Sequence, residues 1–179
     1  MLEGDPFEVI VVDGGSRDRT REIAEKEKGV TLIASEKPGR ALQMNEGARA
    51  SSGDVLLFLH ADTLLPRGWK EKILEALERN PDSPGGAFLV ALSGDKLIYR
   101  ITGAMINVRT LLFRSFTGDQ GIFVRREFFR SAGGFPDVPI MEDLMLSDAM
   151  RPHGPVILRK KVVTSARRWE DWGPVRTIL

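Results

Sequence analysis

Two apolar runs that each end in an acidic segment constrain the fold of this chain most strongly. Residues 9–12 (Val-Ile-Val-Val) lead into Asp13, and residues 55–59 (Val-Leu-Leu-Phe-Leu) lead into His60 and, two residues later, Asp62. Continuous runs of this kind between turn residues are typical of strands covered on both faces, as in parallel sheets flanked by helices. Ligands of such sheets bind outside the carboxyl ends of the strands, so Asp13, His60 and Asp62 are candidates for contact with one polar ligand.

Predicted strands and helices alternate along the chain. The strands are predicted at residues 9–12, 30–34, 55–59, 85–92, 121–125 and 156–164, and the helices at residues 17–28, 39–51, 69–80, 95–113, 126–132 and 142–151. This alternation predicts an α/β fold with a mostly parallel sheet flanked by helices. The 179 residues contain no linker rich in proline, glycine or serine, so we expect a single domain spanning residues 1–179.

Two of the predicted helices carry apolar residues at helical spacing. The residues of helix 69–80 that we expect to face inward are Trp69, Ile73, Leu74 and Leu77. The residues that align along one face of helix 95–113 are Leu97, Ile98, Ile101, Met105 and Val108. Such stripes are typical of amphipathic helices that pack against a core.

The composition excludes several functional classes. With 26 lysine and arginine residues against 25 acidic ones, the net charge of +1 provides no overall field that attracts nucleic acid. The absence of cysteine excludes disulfides, thiolate zinc sites and cysteine nucleophiles, and is compatible with a reducing compartment. No apolar stretch approaches the roughly 20 residues that span a bilayer, and the first residues lack the pattern of a signal peptide. We therefore expect a soluble, cytoplasmic chain.

Acidic residues at a helix start suggest chemistry. Glu142 and Asp143 begin a predicted helix, where the free backbone N–H groups and the helix dipole favour negative charge. One interpretation is a capping pair. The other is a site shared with Asp13 and Asp62, in which a divalent ion and a carboxylate base assist the displacement of a phosphate leaving group. His60 lies two residues before Asp62, so in an extended chain both side chains point to the same side. This arrangement would let them share one ion. The alternative is a structural histidine that is hydrogen-bonded within the protein.

Polar residues near the first two helices are weaker candidates. Gly14 and Gly15 precede a helix, but they lack the spacing of a dinucleotide fingerprint or a P-loop, and Asp13 has an alternative role as a helix cap. Arg40 opens a helix, where the dipole disfavours a cation, and this placement points to an anionic partner or to a surface role. Asn45 is expected to tie its helix to a loop.

Three basic clusters lie in the second half of the chain. They are Arg125-Arg126, Arg159-Lys160-Lys161 and Arg167-Arg168-Trp169. Most clusters of this type are solvated faces. The last one has the alternative roles of clamping a pyrophosphate or touching an anionic membrane surface, with Trp169 and Trp172 as anchors.

Taken in order, five segments resemble the family 2 glycosyltransferases. They are residues 8–20, 39–48, 54–62, 118–121 (Gly-Asp-Gln-Gly) and 141–143 (Met-Glu-Asp). The resemblance extends from residue 8 to about residue 172. It is strongest to the subgroup with His-Ala-Asp-Thr and Thr-Ser-Ala-Arg-Arg-Trp signatures.

This resemblance implies a GT-A, Rossmann-like fold and inverting transfer of a sugar from a UDP- or GDP-linked donor, assisted by Mg²⁺ or Mn²⁺. By the same resemblance, Asp13 meets the nucleotide base, Arg40 contacts the base or a phosphate, and Asp143 is the general base. Asp62 matches the last residue of the Asp-x-Asp metal motif, and His60 is its expected partner as metal ligand. The other residues assigned to the donor site are Gly15, Asn45, Asp119, Gln120, Glu142, Arg168 and Trp169.

Two departures from the family pattern affect these expectations. His60 replaces the first acid of the metal motif, which changes the ligand set. Only Met1–Phe7 precede what should be the second strand, so we expect an N-terminally truncated domain that lacks the usual first strand and has an open apolar sheet edge. Completion of that edge by another molecule is one alternative.

Other functions and partners also stay open at this point. A nucleotidyltransferase and a non-catalytic nucleotide-sugar-binding or assembly domain are the alternatives to a transferase. The acceptor is expected to be a lipid-linked or small hydroxyl compound, reached at the inner face of the membrane. Peripheral membrane contact and a homo-oligomer are open partners, whereas nucleic acid is not expected.

Overall fold

The computed structural model describes residues 7–167 and shows a mixed α/β protein. Its strands are β1 (Val9–Asp13), β2 (Val30–Ala34), β3 (Val55–Phe58), β4 (Thr63–Leu64), β5 (Gly85–Leu92), β6 (Ile122–Arg125) and β7 (Val156–Thr164). Its α-helices are α1 (Thr20–Lys26), α2 (Arg40–Ala50), α3 (Trp69–Arg79), α4 (Leu97–Phe113), α5 (Arg126–Ser131) and α6 (Glu142–Met150). Short 3₁₀ turns lie at Gly118–Gln120 and Arg151–His153.

Most elements lie where the sequence predicts them, and β2, β5 and β7 have the predicted bounds. Helix α1 begins three residues later than predicted. The side chain of Asp18 accepts a hydrogen bond from the amide of Thr20 at 3.0 Å, so residues 18–20 form a turn that precedes the helix. The two-residue strand β4 was not predicted, because so short a strand carries no periodic pattern.

The strands form two sheets, and the pairing is mixed rather than mostly parallel. One sheet has the order β1-β2, and the other has the order β3-β6-β5-β7-β4. β1 with β2 and β5 with β7 are parallel, whereas β5 with β6 and β4 with β7 are antiparallel. A helix between two strands does not by itself fix their relative direction. After α4 the connection through Gly118–Gln120 brings the chain back antiparallel to β5.

The chain divides into two compact units. The first, here called the β1 unit, contains the described residues up to Leu56 together with Arg125–Leu146. The second, here called the β5 unit, contains Leu57–Val124 and the described residues from Ser147 onward. Each unit draws on two separate stretches of sequence, and the single domain expected from the sequence stays a prediction.

In the β1 unit, α2 packs closely on β1. A Cβ atom at Gly47 would lie 3.3 Å from a methyl carbon of Val12, so this glycine allows the close approach. Arg126 donates to the carbonyl oxygens of Gly53 (2.6 Å) and Ala48 (3.2 Å). These bonds satisfy carbonyl groups at the end of α2 and just after it. The sequence suggested a solvated basic face for the cluster that contains Arg126, and this residue does not follow that expectation.

Within the described residues, one edge of β1 is unpaired, as expected from the sequence. Within residues 7–167, β1 has a ladder partner on one side only, namely β2. Two-stranded sheets are marginal by themselves, so the stability of this edge depends on the helices packed on its faces. Its completion by another segment or molecule stays a prediction.

The β5 unit is built around closely approaching strands. A Cβ atom at Gly85 would lie 2.1 Å from the carbonyl oxygen of Phe123, and one at Gly86 would lie 1.9 Å from that of Val156. Only glycine permits this spacing. The fully buried side chains of this unit include Phe88, Val90, Phe116, Ile122, Phe123, Val124, Met150 and Val162.

Helices α3 and α4 do not bury all of the residues that the sequence predicts to face inward. In α3, Ile73 and Leu77 are buried as predicted, but Leu74 is exposed because it lies beside the contact stripe that those two residues form. In α4, the predicted apolar stripe faces solvent, and a polar face packs inward. Among the helices of residues 7–167, none combines the length and the apolar content needed to cross a membrane.

Candidate active site

Asp13 closes the turn at the end of β1. Its buried carboxylate accepts hydrogen bonds from the amides of Gly15 (3.2 Å) and Ser16 (3.1 Å), and Arg21 lies 3.8 Å away. The Ser16 side chain, these amides and Arg21 hold the pKa of Asp13 below its ordinary value, although burial acts in the opposite direction. Asp13 therefore caps the turn as an ionised group. Helix α1 begins further on, so Asp13 does not cap it, and its contact with a nucleotide base stays a prediction.

Gln43 fixes the start of α2 beside this turn. Its side-chain amide nitrogen donates to the carbonyl of Val12 at 2.8 Å, and its amide oxygen accepts from the backbone of Gly39 at 3.3 Å. A Cβ atom at Gly14 would lie 2.8 Å from that oxygen, so the glycine leaves room for the glutamine. Sequence reasoning missed this residue. The signal for it in the sequence was an uncharged amide side chain, one turn into a helix that follows the end of a strand.

Arg40, the first residue of α2, contacts Glu142, the first residue of α6. The Nε atom of Arg40 lies 3.1 Å from a carboxylate oxygen of Glu142. Glu142 is only 1% exposed, and within residues 7–167 neither of its carboxylate oxygens has a hydrogen-bond partner, so the contact is an ion pair without hydrogen-bond alignment. The side chain of Arg40 is 42% exposed. The position of Arg40 predicts an anionic partner, and the Glu142 side chain is such a partner within the protein itself.

Asp143 follows at the start of α6 and is also buried. One of its carboxylate oxygens lies 2.7 Å from the amide of Leu144. Met141, just before the helix, has a φ of 70°, and its carbonyl accepts the amide of Met145 at 3.1 Å. Left-handed backbone at a residue other than glycine costs about 1–2 kcal/mol, and such strain is concentrated at functional sites. This turn sets the direction in which Glu142 and Asp143 enter the helix.

Asn45 ties α2 to the segment that leads to α6, as the sequence predicts. Its side chain donates to the carbonyl of Phe135 at 2.8 Å and accepts from the amide of the same residue at 2.9 Å. A Cβ atom at Gly134, where φ is 76°, would lie 2.7 Å from the Asn45 side-chain oxygen. Asn45 thus has a structural role, and its contact with a donor stays a prediction.

His60 and Asp62 lie in a turn and not in an extended strand. β3 ends at Phe58, and the amide of Thr63 donates to the carbonyl of His60 at 3.0 Å. Because of this turn, His60 and Asp62 do not have the same-side arrangement expected for an extended strand, and that prediction is wrong. Asp62 is exposed and His60 is half-buried. In the described part of the chain, no three histidine or acidic side chains lie together as a ready metal site.

Asp119 and Gln120 form the 3₁₀ turn before β6, and their side chains differ in role. Gln120 is completely buried, and its amide nitrogen donates to the carbonyl of Phe88 (3.1 Å) and to Thr110 (3.0 Å). Its amide oxygen accepts from the backbone of Thr117 at 3.0 Å. The half-buried Asp119 accepts from the Thr117 hydroxyl at 2.6 Å. Gln120 therefore fixes the turn that presents Asp119, and direct binding by either residue stays a prediction.

The predicted site residues are divided between the two units. Those in the β1 unit are Asp13, Gly15, Arg40, Asn45, Glu142 and Asp143, and those in the β5 unit are His60, Asp62, Asp119 and Gln120. Arg168 and Trp169 lie outside the described residues. Within the β1 unit, the contacts of Gln43, Arg40 and Asn45 join the end of β1, the first turn of α2 and the start of α6. The expected convergence of Asp62 and Asp143 stays a prediction.

Comparison with known sequences identifies relatives of this chain. A family model for glycosyl transferase family 2 matches residues 2–132. An uncharacterized glycosyltransferase of Haemophilus influenzae is 33% identical over 135 residues, which cover 72% of this chain and 46% of the relative. Glycosyltransferase AglE of Haloferax volcanii is 27% identical over 140 residues, or 73% of this chain and 46% of AglE. The chain thus spans about half the length of the curated relatives it matches.

Solved structures with a similar fold include one in complex with UDP and one in complex with GDP-Man. The 1–349 fragment of Staphylococcus aureus TarS in complex with UDP gives a TM-score of 0.70 at 16% identity, covering 89% of this chain and 51% of that one. The mannosyltransferase PcManGT of Pyrobaculum calidifontis, in complex with GDP-Man and Mn²⁺, gives 0.61 at 22% identity, covering 87% and 47%. At these identities the likeness shows the fold alone, and it confirms the expected GT-A type.

Proposed function

Because the chain belongs to glycosyl transferase family 2, we propose that it transfers a sugar from a nucleotide-diphosphate donor to an acceptor hydroxyl. The observation that carries the proposal is the buried acidic pair at the start of α6, where Glu142 is held by Arg40. The solved structures of similar fold in complex with UDP, UDP-GlcNAc and GDP-Man support a donor of this class.

In the proposed reaction Asp143 is the general base. Its carboxylate takes the proton of the acceptor hydroxyl while the acceptor oxygen forms a bond to the anomeric carbon of the sugar. The bond between that carbon and the diphosphate oxygen breaks in the same displacement, which inverts the anomeric centre and releases a nucleoside diphosphate. Asp143 lies buried at the start of α6, directly after the residue that Arg40 contacts.

Arg40 is proposed to serve both the protein and the donor. Its Nε atom faces Glu142, and because its side chain is 42% exposed, its other N–H groups are proposed to reach a diphosphate oxygen. Asp13 and the turn that it closes are proposed to receive the nucleoside. Asn45 and Gln43 position α2 for these contacts and need not touch the donor.

His60 and Asp62 are proposed to hold a divalent ion together with the donor diphosphate. One imidazole nitrogen and one carboxylate oxygen make an incomplete set of protein ligands, which suits an ion that also binds phosphate oxygens. The imidazole favours Mn²⁺ over the harder Mg²⁺. When bound, the ion would neutralise charge on the departing diphosphate.

The first test measures what the protein releases from its donor. The full chain is incubated with a panel of UDP- and GDP-linked sugars, Mn²⁺ and a membrane-lipid extract as the source of acceptor. We expect release of nucleoside diphosphate from one donor. In a parallel incubation with UTP or GTP and a panel of sugar 1-phosphates, release of pyrophosphate would instead identify a nucleotidyltransferase. Donor binding without turnover would identify a non-catalytic binding domain.

Replacement of Asp62 by asparagine tests the proposed ion site. Since even supporting residues of metal sites change affinity by about 10- to 100-fold, we expect the variant to need at least about 10-fold more Mn²⁺ for donor binding. Calorimetric titration of UDP at several Mn²⁺ concentrations measures this. Asp95→Asn, at another exposed position of the β5 unit, is the matched control. An unchanged Mn²⁺ requirement in Asp62→Asn would remove this residue from the site.

The cellular setting stays a prediction. The cytoplasmic location, at the inner face of the membrane, derives from the sequence alone. The same holds for a lipid-linked or small acceptor and for a homo-oligomer.

A further inference from the structure

Helix α4 turns its apolar residues outward, the reverse of an ordinary surface helix. Leu97, Met105 and Leu112 are 68%, 65% and 69% exposed. The other exposed apolar residues of the helix are Ile98, Ile101, Ala104, Val108, Leu111 and Phe113. Contiguous exposed apolar surface of this kind marks an interaction site in a soluble protein.

The inward face of α4 is fixed by polar contacts. The side chain of Asn107 accepts the amide of Val90 at 2.8 Å and donates to the carbonyl of the same residue at 2.9 Å. Thr110 is completely buried and donates to the carbonyl of Ile106 at 3.0 Å. Rotation of the helix to hide its apolar face would break these buried hydrogen bonds, at a cost of about 1–3 kcal/mol for each group left without a partner. The outward orientation is therefore built into the fold.

The apolar residues in the middle and at the end of α4 lie on one open surface. It consists of Ile101, Ala104, Met105, Val108, Arg109 and Phe113. All six residues belong to α4, so this surface is the outer side of one helix and not a cleft between elements. None of the six is among the residues proposed to bind the donor.

The charged residues within α4 and at its two cap positions are cations. They are Lys96, Arg100, Arg109 and Arg114, and the nearest acidic residues in the sequence are Asp95 and Asp119. Arg109 donates to the Thr117 hydroxyl and Arg114 donates to the carbonyl of Pro155, so both are held near the end of the helix. Near its beginning, Arg100 is exposed and Lys96 lies over the ring of Tyr99. An apolar face bordered by cations at both ends is complementary to an anionic lipid surface.

We propose that the outer face of α4 docks on an anionic membrane. The apolar side chains enter the boundary between headgroups and acyl chains, and the lysine and arginine side chains contact the lipid phosphates. A second copy of the chain is a poorer occupant. Packing two such faces would bring cations together without any carboxylate of the face to pair with them. The proposal goes beyond sugar transfer and does not depend on which donor or acceptor is used.

The test is flotation of the full chain with vesicles of phosphatidylcholine, with and without phosphatidylglycerol. We expect binding to the anionic vesicles and its loss in the double variant Met105→Glu/Leu112→Glu. Arg100→Glu should weaken binding by about 10-fold, because each surface cation contributes about 1 kcal/mol and the reversal also adds repulsion. Ile23→Glu, at an exposed apolar position of α1, and Arg79→Glu, at an exposed position of α3, are the matched controls.

Three results would overturn the proposal. The first is no flotation with anionic vesicles. The second is flotation that Met105→Glu/Leu112→Glu leaves unchanged while thermal unfolding shows both proteins folded. The third is self-association without lipid that the same double variant abolishes, since this would identify a second copy as the occupant. None of these results bears on nucleoside diphosphate release, so failure of the docking proposal is distinguishable from failure of the proposed transferase function.

Discussion

Replacement of Asp143 by asparagine is expected to slow sugar transfer by about 10²- to 10⁴-fold, the usual contribution of a general base. The amide has nearly the shape of the carboxylate and keeps an oxygen for the amide of Leu144, but it does not accept the acceptor's proton. Donor binding should persist because the residue acts on the acceptor. Nucleoside diphosphate release at saturating donor measures the first effect, and calorimetric titration with the donor measures the second.

Asp148→Asn is the matched control for this experiment. Asp148 lies on the same helix, but its side chain is 59% exposed and pairs with Arg151 on the surface. Its replacement should leave transfer within about twofold of the unmodified protein, as expected for a weak surface pair. Transfer retained by Asp143→Asn would reject the assignment of the base. An equal loss of donor binding and transfer would mean that Asp143 serves the donor site.

The positions of the elements were predictable because they depend on local pattern. The apolar runs at Val30–Ala34 and Val156–Thr164 are bounded by turn residues, and their strands have the predicted limits. Asn45 was also predictable, since an amide inside a helix with an apolar stripe needs a partner when it is partly buried. The strand limits depend on residues close together in the sequence, whereas the partner of Asn45, Phe135, lies 90 residues away and was not predictable.

The orientation of elements was not predictable from local pattern. The stripe of α4 has ordinary helical spacing, and the bonds between Asn107 and Val90 and the burial of Thr110 show that the opposite face packs inward. The same limitation explains the turn at His60, where a strand was extrapolated beyond Phe58. It also explains the mixed sheet, because the direction of a strand depends on the connection that precedes it.

The second large expected effect is a loss of stability when the ion pair of Arg40 and Glu142 is broken. Each residue begins a helix, and no spacing rule links them in sequence; the fold alone brings them together. Arg40→Gln would leave the Glu142 carboxylate buried without its cation. Complete loss of a partner from a buried pair costs about 3–5 kcal/mol, and because Arg40 is partly solvated we expect a loss of about 2 kcal/mol in the free energy of unfolding. Urea denaturation measures it.

A double-mutant cycle separates the two roles proposed for Arg40. Glu142→Gln removes the buried charge, so the double variant Arg40→Gln/Glu142→Gln should recover most of the lost stability, with a coupling energy of about 1–2 kcal/mol. Arg19→Gln is the control, because Arg19 and Glu22 also lie 3.1 Å apart but are exposed, and its effect should be below about 0.5 kcal/mol.

Donor affinity in the double variant then decides whether Arg40 also binds the donor. If its guanidinium contacts a diphosphate oxygen, donor binding should stay weakened by about 10-fold even though stability has returned, since a hydrogen bond to a charged group contributes about 1.5–3 kcal/mol. If donor affinity instead returns together with stability, Arg40 acts only through Glu142. In that case the diphosphate must be held by other cations or by the ion at His60 and Asp62.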